Sequence, residues 1–176
     1  MVQHRLSQRP SEQVKTKAPD KLQRSLIWEV GRAYFAYVGL LERVLVVQKL
    51  DHILRPGMGV VLFALYEQDQ VSIKDLAERS QLACSTLTGV LQRMESAGLI
   101  TRSRDTVDGR SVKVTLTKLG RKLESKCREV AQQMTDISEQ SVGAGNIELC
   151  TQYLRNLATG YRTEENRLST AAARKQ

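Results

Sequence analysis

From residue 25 onward, apolar positions fall into successive helical stripes, interrupted by two short alternating runs. Leu26, Val30, Tyr34, Tyr37, Leu41 and Leu45 recur at steps of three and four, which predicts a helix from Ser25 to about Leu50. Leu40, Val44 and Val46 widen that face beyond what one packing partner needs, as in a helix that also meets a second subunit. Pro56 suits a first helical turn and precedes the apolar run from Val60 to Tyr66. In Ser72-Ile73-Lys74-Asp75, Ser72 is placed to cap a new helix, and Asp75 favours its positive end. Ile73, Leu76 and Ala77 form the buried face of that helix, which stops near Ser80-Gln81-Leu82. The next runs from about Cys84 to Ser96, turns Leu87, Val90, Leu91 and Met94 inward, and closes at Gly98. Two short helices joined by a tight polar turn outline a helix-turn-helix.

Leu99 to Arg102 and Ser111 to Leu116 read as two strands about the polar segment Asp105 to Arg110, which holds an Asp-Gly turn. A hairpin in this place is a wing. Thr117 is placed to cap a long helix to about Gln140, with Leu119, Leu123, Cys127, Val130, Met134 and Ile137 in register. After Gly143 and Gly145, a last helix carries Ile147, Cys150, Leu154, Leu157 and Tyr161. The expected class is mainly α with a small β-hairpin wing (α+β): a winged helix-turn-helix with a helical dimerisation region from both chain ends. The expected divisions are a disordered basic tail (1–24), a dimerisation helix (25–55), the winged helix-turn-helix (56–118), a connecting and a dimerisation helix (119–162), and a fraying polar tail (163–176).

Composition sharpens this picture. Hydrophobic residues make up 41% of the 176 positions and aromatic residues only 5%, which favours helices over a β-sandwich. Lys and Arg outnumber Asp and Glu by 27 to 19, and between Arg93 and Arg128 ten basic residues face four acidic ones. Six of the eight net positive charges therefore fall on the recognition helix, the wing and the helix after it, which points to nucleic acid ahead of a membrane surface. The tail carries Arg5, Arg9, Lys15, Lys17, Lys21 and Arg24 against Glu12 and Asp20: an inert leader, or a source of non-specific phosphate contacts. Cys84, Cys127 and Cys150 stand apart with no paired spacing, so neither a zinc site nor a disulfide framework is expected, and no cofactor. Without a signal-like or membrane-length apolar run, a soluble cytoplasmic protein is expected. No nucleophile–base pair or glycine-rich phosphate loop suggests an enzyme.

Reading base edges in the major groove requires polar side chains near the exposed start of a helix. Ser85, Thr86 and Thr88, followed by Gln92 and Arg93, meet that requirement. The wing offers Arg102 and Arg104 on one strand, Arg110 at the tip and Lys113 on the return, with Asp108 placed to hold the tip's shape. A tip arginine suits the negative potential of a narrow minor groove. The competing class is a winged-helix protein-interaction module that never touches DNA, against which the basic wing argues.

The stretch resembles the MarR family of winged-helix transcriptional regulators. Its wing pattern, Asp-x-Arg followed by five residues and Leu-Thr, is met by Asp108, Arg110, Leu116 and Thr117, and Lys118-Leu119-Gly120-Arg121 continues it. Ser85-Thr86-Leu87-Thr88 and Met94 to Ile100 are similar to the family's recognition helix and exit. The resemblance implies a homodimer joined by first and last helices, binding a pseudo-palindromic stretch of double-stranded DNA, most often as a repressor. One departure is Gly89, where family members often carry a basic residue after the threonine. The resemblance also implies release by a small aromatic or phenolic anion, with Trp28, Tyr34, Tyr37, Arg43, His52, Phe63 and Tyr66 as candidate lining, although each taken singly is better read as ordinary core or interface packing. The alternative control is oxidation of Cys84, because a helix start stabilises a thiolate.

Overall fold

A computed structural model of the chain describes residues 25–104 and 111–173. The chain divides into two units at Leu40. The first holds the N-terminal turns of α1 (Leu26–Val47), where Leu26, Ile27, Tyr34, Phe35 and Tyr37 are each at least half exposed and Tyr34 meets Phe35 edge-on.

The second unit begins with the last turns of α1, in which Val44 and Leu45 are buried. The helix expected to reach Leu50 ends at Val47, and Lys49 (φ 56°) turns the chain away. The next helix, α2 (Met58–Glu67), starts after Gly57 at φ 89° rather than at Pro56. A left-handed residue there leaves Pro56 in the approach, outside the helix.

Beyond α2 lie β1 (Val71–Ser72), α3 (Ile73–Ser80), α4 (Cys84–Ser96), β2 (Ile100–Arg104) and β3 (Val112–Leu116). The sheet has three strands in the order β1-β3-β2, all antiparallel. The third strand was not expected, since two residues are too short for an alternating pattern; it pairs Val71 with Val114 and Ser72 with Lys113. The register of β2 on β3 sets Ile100 opposite Leu116 and Arg102 opposite Val114, so residues 100, 102 and 104 share a face.

The long helix expected after Thr117 is two: α5 (Lys118–Lys122) and α6 (Glu124–Val142), parted at Leu123. The Tyr66 hydroxyl donates to the Gly120 carbonyl at 3.0 Å just before the break, and a side chain entering the carbonyl ladder is a common cause of one. After a 3₁₀ turn (Ala144–Asn146), α7 (Ile147–Ala173) runs eleven residues past the expected boundary at 162. Good helix formers in Ala171 to Ala173 and the Arg167–Glu164 pair one turn apart account for that extension in place of a fraying tail.

The core lies where α2, α3 and α4 meet the sheet. Leu76, Leu87, Leu91, Met94, Leu99 and Val114 have no solvent exposure, and each such side chain stabilises the fold by about 1.5–3 kcal/mol. Among the described residues, no buried side-chain nitrogen or oxygen lacks a partner.

Candidate nucleic-acid interface

Local chemistry fixes the position of α4. Ser72 Oγ accepts from the Asp75 amide at 3.1 Å and donates to the Asp75 carboxylate at 2.8 Å, so α3 starts where the sequence placed it. At its other end Gln81 takes a left-handed conformation (φ 53°), and α4 follows three residues later. Gly98 (φ 70°) closes α4: the Leu99 amide reaches the Met94 carbonyl at 2.9 Å and the Gly98 amide the Glu95 carbonyl at 2.9 Å. The helix-turn-helix is thus held by a side-chain cap at its start and by backbone geometry at its end.

With Leu87, Val90, Leu91 and Met94 buried, the opposite face of α4 is left to solvent. Ser85, Thr86, Thr88, Gln92 and Arg93 are all exposed on it. The Thr88 hydroxyl donates back to the Cys84 carbonyl at 2.8 Å, which orients its methyl and leaves oxygen lone pairs outward. Arg93 lies back across Gly89: a Cβ at 89 would stand 3.6 Å from its Nη1. The missing side chain at 89 therefore leaves room for a guanidinium one turn later.

On the wing, Arg104 is exposed, whereas Arg102 is engaged. Its guanidinium binds the Glu95 carboxylate at the end of α4, with Nε at 3.0 Å from Oε2. The bond from Arg102 holds the Glu95 carboxyl below the usual carboxylate range, and in turn the Arg102 guanidinium is raised. Arg102 thereby ties wing to helix. Lys113 is half-buried on β3. Asp108 and Arg110, expected at the tip, lie outside the described residues, as does the basic tail.

Of the candidate effector residues, Phe63 and Tyr66 come together edge-on at 5.9 Å, with the Arg128 guanidinium 5.8 Å over the Phe63 ring. The Tyr66 oxygen also lies 3.6 Å from Cys127 Sγ. Burial, then the contact with Cys127, raises the phenol well above its ordinary value, and burial raises the Cys127 thiol. Tyr66 is thus held as an internal hydrogen-bond donor. Arg43 and His52 are exposed, as are Trp28, Tyr34 and Tyr37 on α1. Cys84 is exposed at the head of α4, Cys127 is buried and Cys150 half-buried, all as free thiols.

Two positioning residues escaped the sequence reading. Asp69 accepts from the Leu116 amide at 2.9 Å and the Gln70 amide at 2.8 Å, and pairs with Arg121. Glu95 is the other; an acidic residue amid the basic stretch was the available signal. Among the described residues no metal-ligating cluster occurs, and no helix is long and apolar enough to cross a membrane.

A three-helix core, a short sheet and an outward-facing second helix define a winged helix-turn-helix. The MarR family model matches residues 56–112. Over 82 residues the chain is 38% identical to the organic hydroperoxide resistance transcriptional regulator of Bacillus subtilis strain 168, covering 47% of this chain and 56% of that one. It is 32% identical over 98 residues to the HTH-type transcriptional regulator FarR of Neisseria gonorrhoeae, covering 56% of this chain and 67% of FarR. Among solved structures, Bordetella bronchiseptica BpsR, whose DNA binding is regulated by 6-hydroxynicotinic acid, superposes with a TM-score of 0.68 at 26% identity, covering 80% of this chain and 97% of that one. The chain belongs to the MarR family. It spans little more than half the length of the first of these curated relatives.

Proposed function

We propose that the chain is a transcriptional regulator, acting as a repressor, that binds double-stranded DNA as a homodimer. The observation that carries this reading is the split of α4 into a fully buried apolar face and an exposed face of Ser85, Thr86, Thr88, Gln92 and Arg93. In this reading α4 enters the major groove, where Gln92 and Arg93 meet base edges and the hydroxyls meet phosphates or bases. Arg104, Lys113 and the tip residues Asp108 and Arg110 follow the adjacent backbone or minor groove. Arg102, engaged by Glu95, sets the angle of the wing on the helix rather than adding a free charge.

Two chains are favoured because α7 has no buried residue along its 27 positions and exposes Leu149, Tyr153, Tyr161 and Leu168. Apolar area of that extent seeks a partner, and the exposed apolar residues of α1 offer another such face. A two-fold dimer requires half-sites about one helical turn of DNA apart. Regulation of BpsR by a small aromatic acid supports release by a small anion here as well. Oxidation at Cys84 is the less favoured control, resting on one exposed thiol.

The test is selection of duplexes by the purified chain from a random pool. A shared inverted repeat supports the reading, and uniform weak retention of all duplexes contradicts it.

A further inference from the structure

We propose that Tyr66 is a positioning residue whose hydroxyl, on a ring seated against Phe63, sets the direction in which α6 leaves the winged helix. Through that direction it selects the spacing between the two DNA half-sites that a dimer accepts; this second part rests on the function proposed above.

The two sides of the break at Leu123 are held differently. On the near side α5 is fixed to the strand region. Thr117 Oγ1 donates to the Gly98 carbonyl at 2.6 Å and accepts from the Gly120 amide at 3.0 Å, and Gly120 lies so close to the Leu99 carbonyl that a Cβ would not fit. On the far side, Cys127, Val130 and Met134 of α6 are buried. Apolar packing has no preferred direction and tolerates small rotations, whereas a hydrogen bond constrains angle as well as distance.

Tyr66 supplies that directional contact. Its hydroxyl donates to the Gly120 carbonyl on α5 at 3.0 Å and lies 3.6 Å from Cys127 Sγ on α6, so one oxygen touches both sides of the break. The ring is placed from α2, whose Val61, Leu62 and Leu65 are buried in the winged-helix core. Phe63 meets it edge-on at 5.9 Å, and Arg128 of α6, paired with Glu124 at 2.7 Å, lies over Phe63. Three side-chain contacts therefore join α2 to the start of α6, and Tyr66 makes the hydrogen-bonded one.

The leverage is geometric. With 19 residues, α6 is about 28 Å long. Turning it by about 10° at Leu123 carries its far end through about 5 Å, more than the ~3.4 Å rise of one base pair. Beyond that end lies α7, whose exposed apolar residues form the face offered to a second chain. In a two-fold dimer the same turn acts on both recognition helices, so an error of this size moves each α4 out of step with its half-site.

The experiment measures affinity of the full chain for duplexes carrying the selected half-sites at their selected spacing and at one base pair more or less. Expected for Tyr66→Phe is a fall of about fivefold in the preference for the selected spacing, the scale of one hydrogen bond, with binding to a scrambled duplex unchanged. Leu76→Val, which removes a buried methylene of α3, loosens the core and leaves that preference intact. An unchanged preference in Tyr66→Phe, or equal falls in both variants, overturns the spacing role. A second measurement needs neither DNA nor a partner chain: the distance between spin labels on Cys84 and on Glu139→Cys, in a Cys150→Ser chain diluted with unlabelled protein. Loss of the Tyr66 hydroxyl broadens or shifts that distance by about 3–5 Å, and superimposable distributions overturn the positioning itself. If the wild-type chain retains no duplex, the DNA reading fails, while the labels still decide what Tyr66 holds.

Discussion

Adding a single methyl group at Gly120 tests how tightly the wing, α4 and α5 are locked. A Cβ built there stands 2.2 Å from the Leu99 carbonyl oxygen and 3.1 Å from Leu116 Cδ2. The first of these is backbone and cannot swing aside: Leu99 O accepts from the Thr117 amide at 2.9 Å and lies just past the Gly98 cap. Gly120 itself donates to Thr117 Oγ1 at 3.0 Å and accepts from Tyr66, so it too is pinned. Overpacking a core costs about 1–3 kcal/mol, and a clash with a fixed backbone carbonyl, with the Leu116 side chain crowding the methyl as well, places Gly120→Ala at the upper end, about 3 kcal/mol. For a chain of this size that lowers Tm by about 6–12 °C. Gly59→Ala is the matched control: it lies within α2 with nothing within 4 Å of the added methyl, so it raises stability by about 0.5–1 kcal/mol. The assay is thermal and urea unfolding of both variants beside the wild type. A Gly120→Ala loss below about 1 kcal/mol, or equal effects at both sites, would falsify the locked junction.

Further outcomes follow from single contacts. Asp69→Ala leaves the Leu116 amide without its acceptor and costs about 2 kcal/mol in urea unfolding, whereas Asp69→Asn keeps an acceptor and costs under about 1 kcal/mol; equal losses would mean the exposed Arg121 pair dominates. The Tyr66 phenol is held neutral in the folded chain, so the unfolded chain loses that proton first as pH rises past the ordinary phenol value near 10, and stability falls above it. Tyr66→Phe is therefore less stable at neutral pH yet declines less steeply under alkali, and a parallel decline would contradict this. Gly89→Lys places a cation on the exposed face of α4 beside Arg93 and steepens the salt dependence of duplex binding by about 0.9 in log–log slope for each chain, about 1.8 for a two-chain complex; an unchanged slope would remove that face from the phosphate contacts.

Local rules carried much of the fold. The Ser72 and Thr117 caps, the Gly98 stop and the buried stripe of α4 each depend on residues within a turn of one another, and each is readable from spacing alone. What escaped depends on distant partners. The break at Leu123 follows from a hydroxyl 54 positions upstream of its acceptor, and β1 exists because β3 offers it an edge. The same holds for the site: the exposed residues of α4 were legible from helical period, but the capture of Arg102 by Glu95 requires knowing that residues 100, 102 and 104 share one face. The C-terminal helix was cut short because polar residues of good helix propensity carry no apolar period to read.

The most direct test of the central claim is the affinity of the chain for a selected duplex and for its scrambled counterpart, measured by fluorescence anisotropy across a range of salt, with the stoichiometry of the complex. Expected are two chains per duplex, a steep fall in affinity with salt, and binding at least about 10³-fold tighter to the selected sequence. One chain per duplex, or equal affinity for both sequences at every salt concentration, would contradict it.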